Sequence, residues 1–316
     1  MGYLLTIFTP TFNRANTLYR VYNSLLKQTN RYFVWLIVDD GSVDTTKQLV
    51  QSWIEEGSIE ISYFYKSNGG KYSAMQFGFN LVQTKYVLPI DSDDELDIVA
   101  VDVFLNMWKD IEEKHPNTNF ESVNALTHYN TGGLVGNYFF NDNIEIVDST
   151  WHEMNLKFHN YNENLKCFKT ECIIKAMPIG EVFWLSNKNN LIFESVFWSR
   201  LGRLSKSRYI NKVLRYYYTD ELNRLSSSSN RKFYYTNLVS YKYFLDENID
   251  YLFYDLKYFS VLVLKMIIAQ IETKIKISEV VRQINSPKFK ILYFMFIPLG
   301  YLSWLFFKIF KPQYLD

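Results

Sequence analysis

The stretch YVLPIDSDDELD, residues 86–97, sets Asp91, Asp93, Asp94, Glu95 and Asp97 directly after a short apolar run. In an extended segment, residues two apart point to the same side, so Asp91 and Asp93 are expected to face one pocket while Ser92 and Asp94 face away. Two neighbouring carboxylates repel, and without compensation one would hold its proton at neutral pH. A divalent cation removes that conflict. With only two cysteines and four histidines in the chain, hard oxygen ligands point to Mn²⁺ or Mg²⁺, ions that keep open positions for substrate phosphates. A lone D-x-D is equally compatible with Asp94 or Asp97 capping the next helix, so its meaning depends on what surrounds it.

What surrounds it is an alternation of strands and amphipathic helices. YLLTIF is a buried-strand candidate, and Leu18, Val21, Tyr22, Leu25 and Leu26 then recur at helical spacing. FVWLIV is a second strand, ended by DDGS, and Asp44 is placed to cap a helix whose apolar face is Leu49, Val50, Trp53 and Ile54. IEISYFY reads as a third strand, followed after SNGGK by a helix with Ala74, Phe77, Leu81 and Val82 inward, and YVLPI reads as the next strand. A helix carrying Phe104, Leu105, Trp108 and Ile111 closes this half. Such βαβα order predicts a Rossmann-like, doubly wound, mostly parallel α/β sheet. Ligands of these sheets gather beyond the carboxyl ends of the strands, here at residues 9–14, 39–44 and 91–95.

From about residue 117 to 218 the pattern is irregular, with strand-like runs NIEIVD and RYINKVLRYYY around one clear helix at 191–201. It reads as an elaboration of the same sheet. RLSSSSNRK, residues 224–232, is the best linker candidate, and residues 233–310 read as helix almost throughout. The expected division is therefore a catalytic domain at 1–225 (nucleotide-binding half 1–115, acceptor and base half 116–225) and a helical C-terminal region at 226–316. Within the latter, ILYFMFIPLGYLSWLFF, residues 291–307, is uncharged and flanked by Lys288, Lys290, Lys308 and Lys311. At about 25 Å it is shorter than the roughly 30 Å hydrocarbon core, and Pro298 with Gly300 is expected to interrupt it, so a helix pair lying at a membrane interface is expected through 288–311.

Composition removes other classes. The chain has 34 basic and 33 acidic residues, net +1, which gives no field for nucleic acid, so no nucleic-acid partner is expected. Cys167 and Cys172 form neither a disulfide scaffold nor a zinc pattern, and the start MGYLLTIFTPTFNR lacks the form of a secretory signal. The expected location is cytoplasmic, at the inner face of the cell membrane.

TIFTPTFNRANTL, WLIVDDGSVDTT and NGGKYSAMQFGFNLVQTKYVLPIDSDD resemble, in order and spacing, the successive signature segments of family 2 glycosyltransferases with the A-type nucleotide-sugar-binding fold. The resemblance covers roughly the first hundred residues. It implies that Thr9, Pro10 and Phe12 line the base and ribose pocket, that Asp39 or Asp40 pairs with the uracil imide, and that Lys71 reaches the diphosphate. Asp91, with Ser92 beside it, falls where the family contacts ribose, and Asp93 where it holds the Mn²⁺ or Mg²⁺. The family's base is usually in a Glu-Asp pair at the start of a helix. Glu194 matches that position, whereas Ser195 stands where Asp is common. Trp198, Tyr216, Tyr217 and Tyr218 are candidates for sugar stacking or core packing, and His152 or His159 for completing a cation shell.

These implications amount to a metal-dependent, inverting transfer of one sugar, from a UDP-linked hexose or N-acetylhexosamine in the family's terms, to a glycan or lipid-linked acceptor. Assembly of cell-surface polysaccharide is the implied setting. The Q-x-x-R-W signature of processive synthases does not follow the proposed helix. The alternative is a catalytically silent relative that keeps the nucleotide-sugar pocket, for which Ser195 is the supporting feature. A sugar-phosphate nucleotidyltransferase needs a Gly-rich, Arg-containing loop after the first strand, and TPTFNR is not one.

Overall fold

A computed structural model describes residues 3–141, 143–176, 194–203, 205–219 and 231–310, leaving aside the side chains of 194 and 231–233. The chain divides into two compact units, taken in turn.

The first unit gathers Met1–Met154, His159–Ile179 and Leu201–Asp220. Its strands β1 (Leu5–Thr11), β2 (Phe33–Asp39), β3 (Ile61–Tyr65) and β4 (Tyr86–Pro89) are parallel and lie in the order β3-β2-β1-β4. Runs such as LTIFTPT and FVWLIVD are buried almost without break, as strands covered on both faces must be. The chain moves from β1 out to β3 and then returns to the other side of β1 with β4. The crevice between the carboxyl ends of β1 and β4 is therefore the switch point of the sheet, where such folds take ligands.

Helices α1 (Tyr19–Leu26), α2 (Thr46–Glu56) and α3 (Lys71–Leu81) provide the crossovers. Tyr22 of α1 stacks on Trp53 of α2 at 4.3 Å, and both lie on Trp35 of β2. Asp44 accepts the Thr46 N–H at 3.0 Å, so it secures the start of α2 although Thr45 is the boundary residue. In α3 the buried face is Ala74, Met75, Gly78 and Phe79, whereas Phe77, expected inward, is exposed and meets Phe64 edge-on. The reason is steric. A Cβ at Gly78 would fall 2.3 Å from the Phe8 ring, so the glycine lets the helix sit on β1 by a face that apolar spacing does not mark.

The sheet continues beyond β4 as β8 (Leu165–Lys169), β6 (Phe120–Tyr129), β9 (Lys206–Tyr217) and β5 (Glu95–Leu96), with β7 (Ile146–Ser149) on β9. Helix α4 (Ala100–Lys114) buries Phe104, Trp108 and Ile111, and α5 (Thr170–Ala176) follows β8. The irregular middle thus completes the same sheet. Strands β6 and β8 escape the sequence reading because β6 buries Glu121, Ser122, Asn124 and Thr127 among its apolar residues. Ser122 pairs with Ser207 at 2.9 Å, and Asn124 donates to Ser122 at 3.0 Å, which satisfies polar groups inside.

The second unit gathers Asn155–Phe158, Gly180–Arg200 and Glu221–Asp316. Helix α6 (Glu194–Gly202) begins in it, and α7 (Arg231–Asn248), a 3₁₀ turn at Ile249–Tyr251, α8 (Leu256–Thr273), α9 (Ile277–Gln283) and α10 (Pro287–Phe310) make up most of it. The linker candidate 224–232 lies outside the described residues up to 230. The expected break at Pro298 and Gly300 does not occur. α10 is one helix of 24 residues, about 36 Å long, so the proposed helix pair is corrected to a single rod. Pro298 is exposed, and Gly300 allows close packing, since a Cβ there would lie 2.4 Å from Ile267 of α8.

Candidate active site at the carboxyl ends of the parallel strands

The loops beyond β1, β2 and β3 are tied to one another by short polar side chains. Asn13, held at φ 52°, receives Val43 N–H on its side-chain oxygen at 2.9 Å, and its own N–H donates to the Ser42 hydroxyl at 2.8 Å. Arg14 N–H donates to Thr46 at 3.0 Å, and Ala15 N–H to Asp44 at 3.1 Å. The motif residues of FNRA and DGSVDT therefore exist partly to brace each other.

Asp39 and Asp40 are both buried. Asp39 accepts Ser42 N–H and the Tyr63 hydroxyl, each at 2.7 Å. Asp40 accepts the Lys66 ammonium at 2.6 Å, Gly69 N–H at 3.0 Å and Gly70 N–H at 2.6 Å, while its backbone carbonyl accepts from Asn68 at 2.8 Å. Gly41, at φ 87°, is required here, because a Cβ would fall 2.8 Å from the Asn68 nitrogen. This knot delivers the start of α3, and with it Lys71.

The acidic cluster beyond β4 is a turn and not the extended segment assumed for it, with Asp94 N–H returning to the Asp91 carbonyl at 3.3 Å. Burial still alternates: Asp91 and Asp93 are half-exposed, Ser92 and Asp94 buried. Asp91 meets the Lys71 ammonium at 2.8 Å, and Lys71, with Arg215 and Arg14 further off, holds its carboxyl below the usual range. Burial pushes the Asp94 carboxyl up to about 8, against the pull of Arg215 at 3.7 Å and with the repulsion of Asp91 and Asp93. Asp94 also receives Tyr218 N–H at 3.2 Å, while its buried Oδ2 makes no hydrogen bond.

Of the other expected site residues, Thr9 is fully buried within β1 and accepts the Trp35 indole N–H at 3.0 Å, so its hydroxyl faces the core. Pro10 is half-buried and Phe12, 44% exposed, stands at the edge of the crevice. Glu194 opens α6 in the second unit, and its side chain lies outside the described residues, as does 177–193 before it. The structure thus brings Asp91, Ser92, Asp93 and Lys71 together beside the ends of β1 and β2 in one unit.

Sequence reasoning passed over Arg20 and Arg215. Arg20 donates to the Asp93 carbonyl at 3.2 Å, and its guanidinium lies 4.1 Å above the Tyr218 ring. Arg215 is buried in β9 and donates to Thr127 at 3.1 Å besides meeting Asp94. The available signal was a basic residue on an otherwise apolar helical face and another inside the strand run VLRYYY. Tyr216 donates to Asp97 at 3.0 Å and Tyr217 packs edge-on to Tyr129, which gives both a structural use.

Among the described residues no group of three or more His, Cys, Asp or Glu side chains is placed to hold a metal ion. The donors that exist, carboxylate oxygens of Asp93 and Asp91 at an open turn, fit a hard divalent ion that takes its remaining ligands from phosphates and water.

An open, mostly parallel sheet with an acidic turn and a lysine at its switch point, elaborated by mixed strands and helices, is the A-type glycosyltransferase fold. The solved structures agree. Residues 1–349 of Staphylococcus aureus TarS, in complex with UDP-GlcNAc, superpose with TM-score 0.60 at 18% identity over 96% of this chain and 87% of that one. The same TarS fragment with UDP gives TM-score 0.55 at 17% identity, over 96% and 92%. Residues 6–146 match the family model described as glycosyl transferase family 2. An uncharacterized glycosyltransferase of Mycoplasma genitalium is 39% identical over 97 residues, 29% of this chain and 32% of that protein. Glycosyltransferase GlyA of Streptococcus pneumoniae is 24% identical over 217 residues, 66% of this chain and 30% of that protein. An uncharacterized glycosyltransferase of Rickettsia felis is 29% identical over 139 residues, 43% of this chain and 23% of that protein. The matches span less than a third of each of these three relatives. These comparisons support a family 2 glycosyltransferase domain in the amino-terminal part of the chain.

Proposed function

We propose that the protein is an inverting, metal-dependent glycosyltransferase that moves one sugar from a UDP-linked donor to a glycan or lipid-linked acceptor in cell-surface polysaccharide assembly. The observation that carries this reading is the turn at Asp91 and Asp93, set against Lys71 at the switch point of the sheet. The TarS structure with UDP-GlcNAc supports the choice of donor class.

In this reading 1–225 is the catalytic domain and 226–316 the helical region. Phe12 and Pro10 flank the base and ribose, Thr9 shapes that wall from within the strand, and the Asp39–Asp40 knot offers the polar edge toward uracil. Asp91 and Ser92 meet the ribose, and Lys71 exchanges its partner Asp91 for the diphosphate when donor arrives. Asp93 would hold Mn²⁺ or Mg²⁺, which would supply positive charge to the departing diphosphate. Glu194 takes the proton from the acceptor hydroxyl as that oxygen attacks the anomeric carbon from the face opposite the nucleotide, in one displacement. The C-terminal segment 288–311 keeps the protein at the inner face of the cell membrane, close to lipid-linked acceptor.

Thermal shift against UDP-sugars with and without Mn²⁺ tests donor binding, because a ligand of the native state raises the melting temperature. Release of UDP from the stabilising donor distinguishes an enzyme from a silent binder. Binding with no UDP release, with or without candidate acceptor glycans, would refute the catalytic reading.

A further inference from the structure

Helix α10 leaves most of its surface uncovered. Phe289, Tyr293 and Gly300 are its buried residues, and they lie along one face. On the opposite face, at about 100° per residue, stand Ile291, Leu302 and Ile309, exposed by 63%, 64% and 59%, with Met295 and Leu305 beside them.

The partner on the buried face decides how this surface can meet lipid. Gly300 is opposite Ile267 of α8, and Trp304 donates its indole N–H to Glu272 of α8 at 2.6 Å, so the two helices run side by side in the same direction. α8 carries exposed Lys257 and Lys265, and it ends at Lys274, near the level of Trp304. Were α10 to cross a bilayer while holding this seam, Lys265 and Glu272 would enter the hydrocarbon with it, where ionised side chains are costly. A helix lying flat keeps the seam and the charges in the aqueous layer while the Ile291, Leu302 and Ile309 face enters the acyl boundary.

Charge favours the same geometry. Residues 256–310 hold eight basic and two acidic side chains, a local +6 in a chain of net +1. Lys288 and Lys308, both exposed, bracket the apolar face. Such a distribution suits an anionic lipid surface better than a second copy of itself, which would bring like charges together.

We propose that α10 is an in-plane membrane anchor, docked on anionic lipid along its whole length while still packed on α8. This rests on the membrane-contact part of the proposed function and adds its geometry.

The test uses the full chain carrying Cys172→Ser, with one cysteine at a time at position 291, 302 or 309, a bimane label, and vesicles of phosphatidylcholine with or without phosphatidylglycerol. Lipids quenching at defined depths then report each label. Expected are co-flotation with the anionic vesicles and three equal, shallow depths. The pair Lys288→Gln and Lys308→Gln should weaken that binding about twenty-fivefold, a factor of about five for each lysine lost near the surface. Depths that increase steadily from 291 to 309, or a label at 309 reached only from the far leaflet, would overturn the in-plane geometry while leaving membrane contact standing. Absence of flotation with either vesicle would overturn both. Neither result bears on UDP release, which reads the catalytic assignment separately.

Discussion

Two pairs of aspartates stand at the ends of β2 and β4, the strands on either side of β1, and they are used in opposite ways. Asp39 and Asp40, after β2, are buried and surrounded by donors from Ser42, Tyr63, Lys66, Gly69 and Gly70. Asp91 and Asp93, after β4, lie half-exposed in a turn, with Lys71 as the ammonium against Asp91. A carboxylate enclosed by backbone N–H groups fixes a loop. One that faces solvent beside a lysine is left able to exchange partners. Equivalent positions in the fold therefore do not imply equivalent roles, and burial with donor count separates them.

The comparison is sharpest at Asp93. Replacement by Ala should lower transfer by about a thousandfold, about 4 kcal/mol at the transition state, with Mn²⁺ in excess. The melting temperature should change far less than transfer does, since Asp93 is half-exposed in its turn. Full transfer in a metal-replete assay would break the assignment.

At Asp40 the expectation reverses. Asp40→Ala strands the Lys66 ammonium and the two N–H groups of Gly69 and Gly70, costing about 3 kcal/mol. Calorimetry should show a fall of about 10 °C for a unit of this size. Unchanged stability would mean the knot is not what positions Lys71.

How much of this was legible from the sequence follows the same division. Strands β1 to β4 and their helices could be read because long buried apolar runs alternate with amphipathic spacing, and three short loops at the strand ends stood out by their polar residues. The role of Asp40 could not, because its donors come from residues 66–70, beyond the next strand. Asp94 looked like a residue turned away from the site, and it is turned inward to Arg215, 121 positions on, a pairing that only β9 beside β5 creates. β6 was hidden by its buried polar side chains. In α3 the packing face depends on Gly78, which has no side chain to count, so spacing pointed to Phe77 instead. α10 was read as broken because proline usually ends a helix, whereas here Pro298 faces outward and the rod continues through it.

Lys71 lies between the two behaviours, since it reaches the second pair but is delivered by the first. Lys71→Met removes a partly exposed ion pair, worth under about 1 kcal/mol to stability. It should nevertheless raise the donor KM about tenfold, close to 1.4 kcal/mol of phosphate contact. Equal KM values for the variant and the wild type would confine Lys71 to holding Asp91.

A third carboxyl, in β6, shows what burial does where donors are few. Glu121 in β6 accepts the Ser207 hydroxyl at 3.0 Å on one oxygen, while Oε2 is buried with no hydrogen-bond partner. Burial pushes this carboxyl up to about 8 from an ordinary 4.5, against the opposite pull of the Ser207 and Ser205 hydroxyls and of Lys166. The folded protein therefore binds the proton more tightly than the unfolded chain does. Its stabilising contribution is complete below about pH 4.5 and is lost as pH rises through about 8. Melting temperatures taken between pH 5 and pH 8 should fall by several degrees, and Glu121→Gln, which keeps the shape and a donor but cannot ionise, should flatten that slope. A slope unchanged by the substitution would show that Glu121 stays ionised in the fold. Burial alone would then be a poor guide to which acidic residues of this sheet carry charge, Asp94 among them.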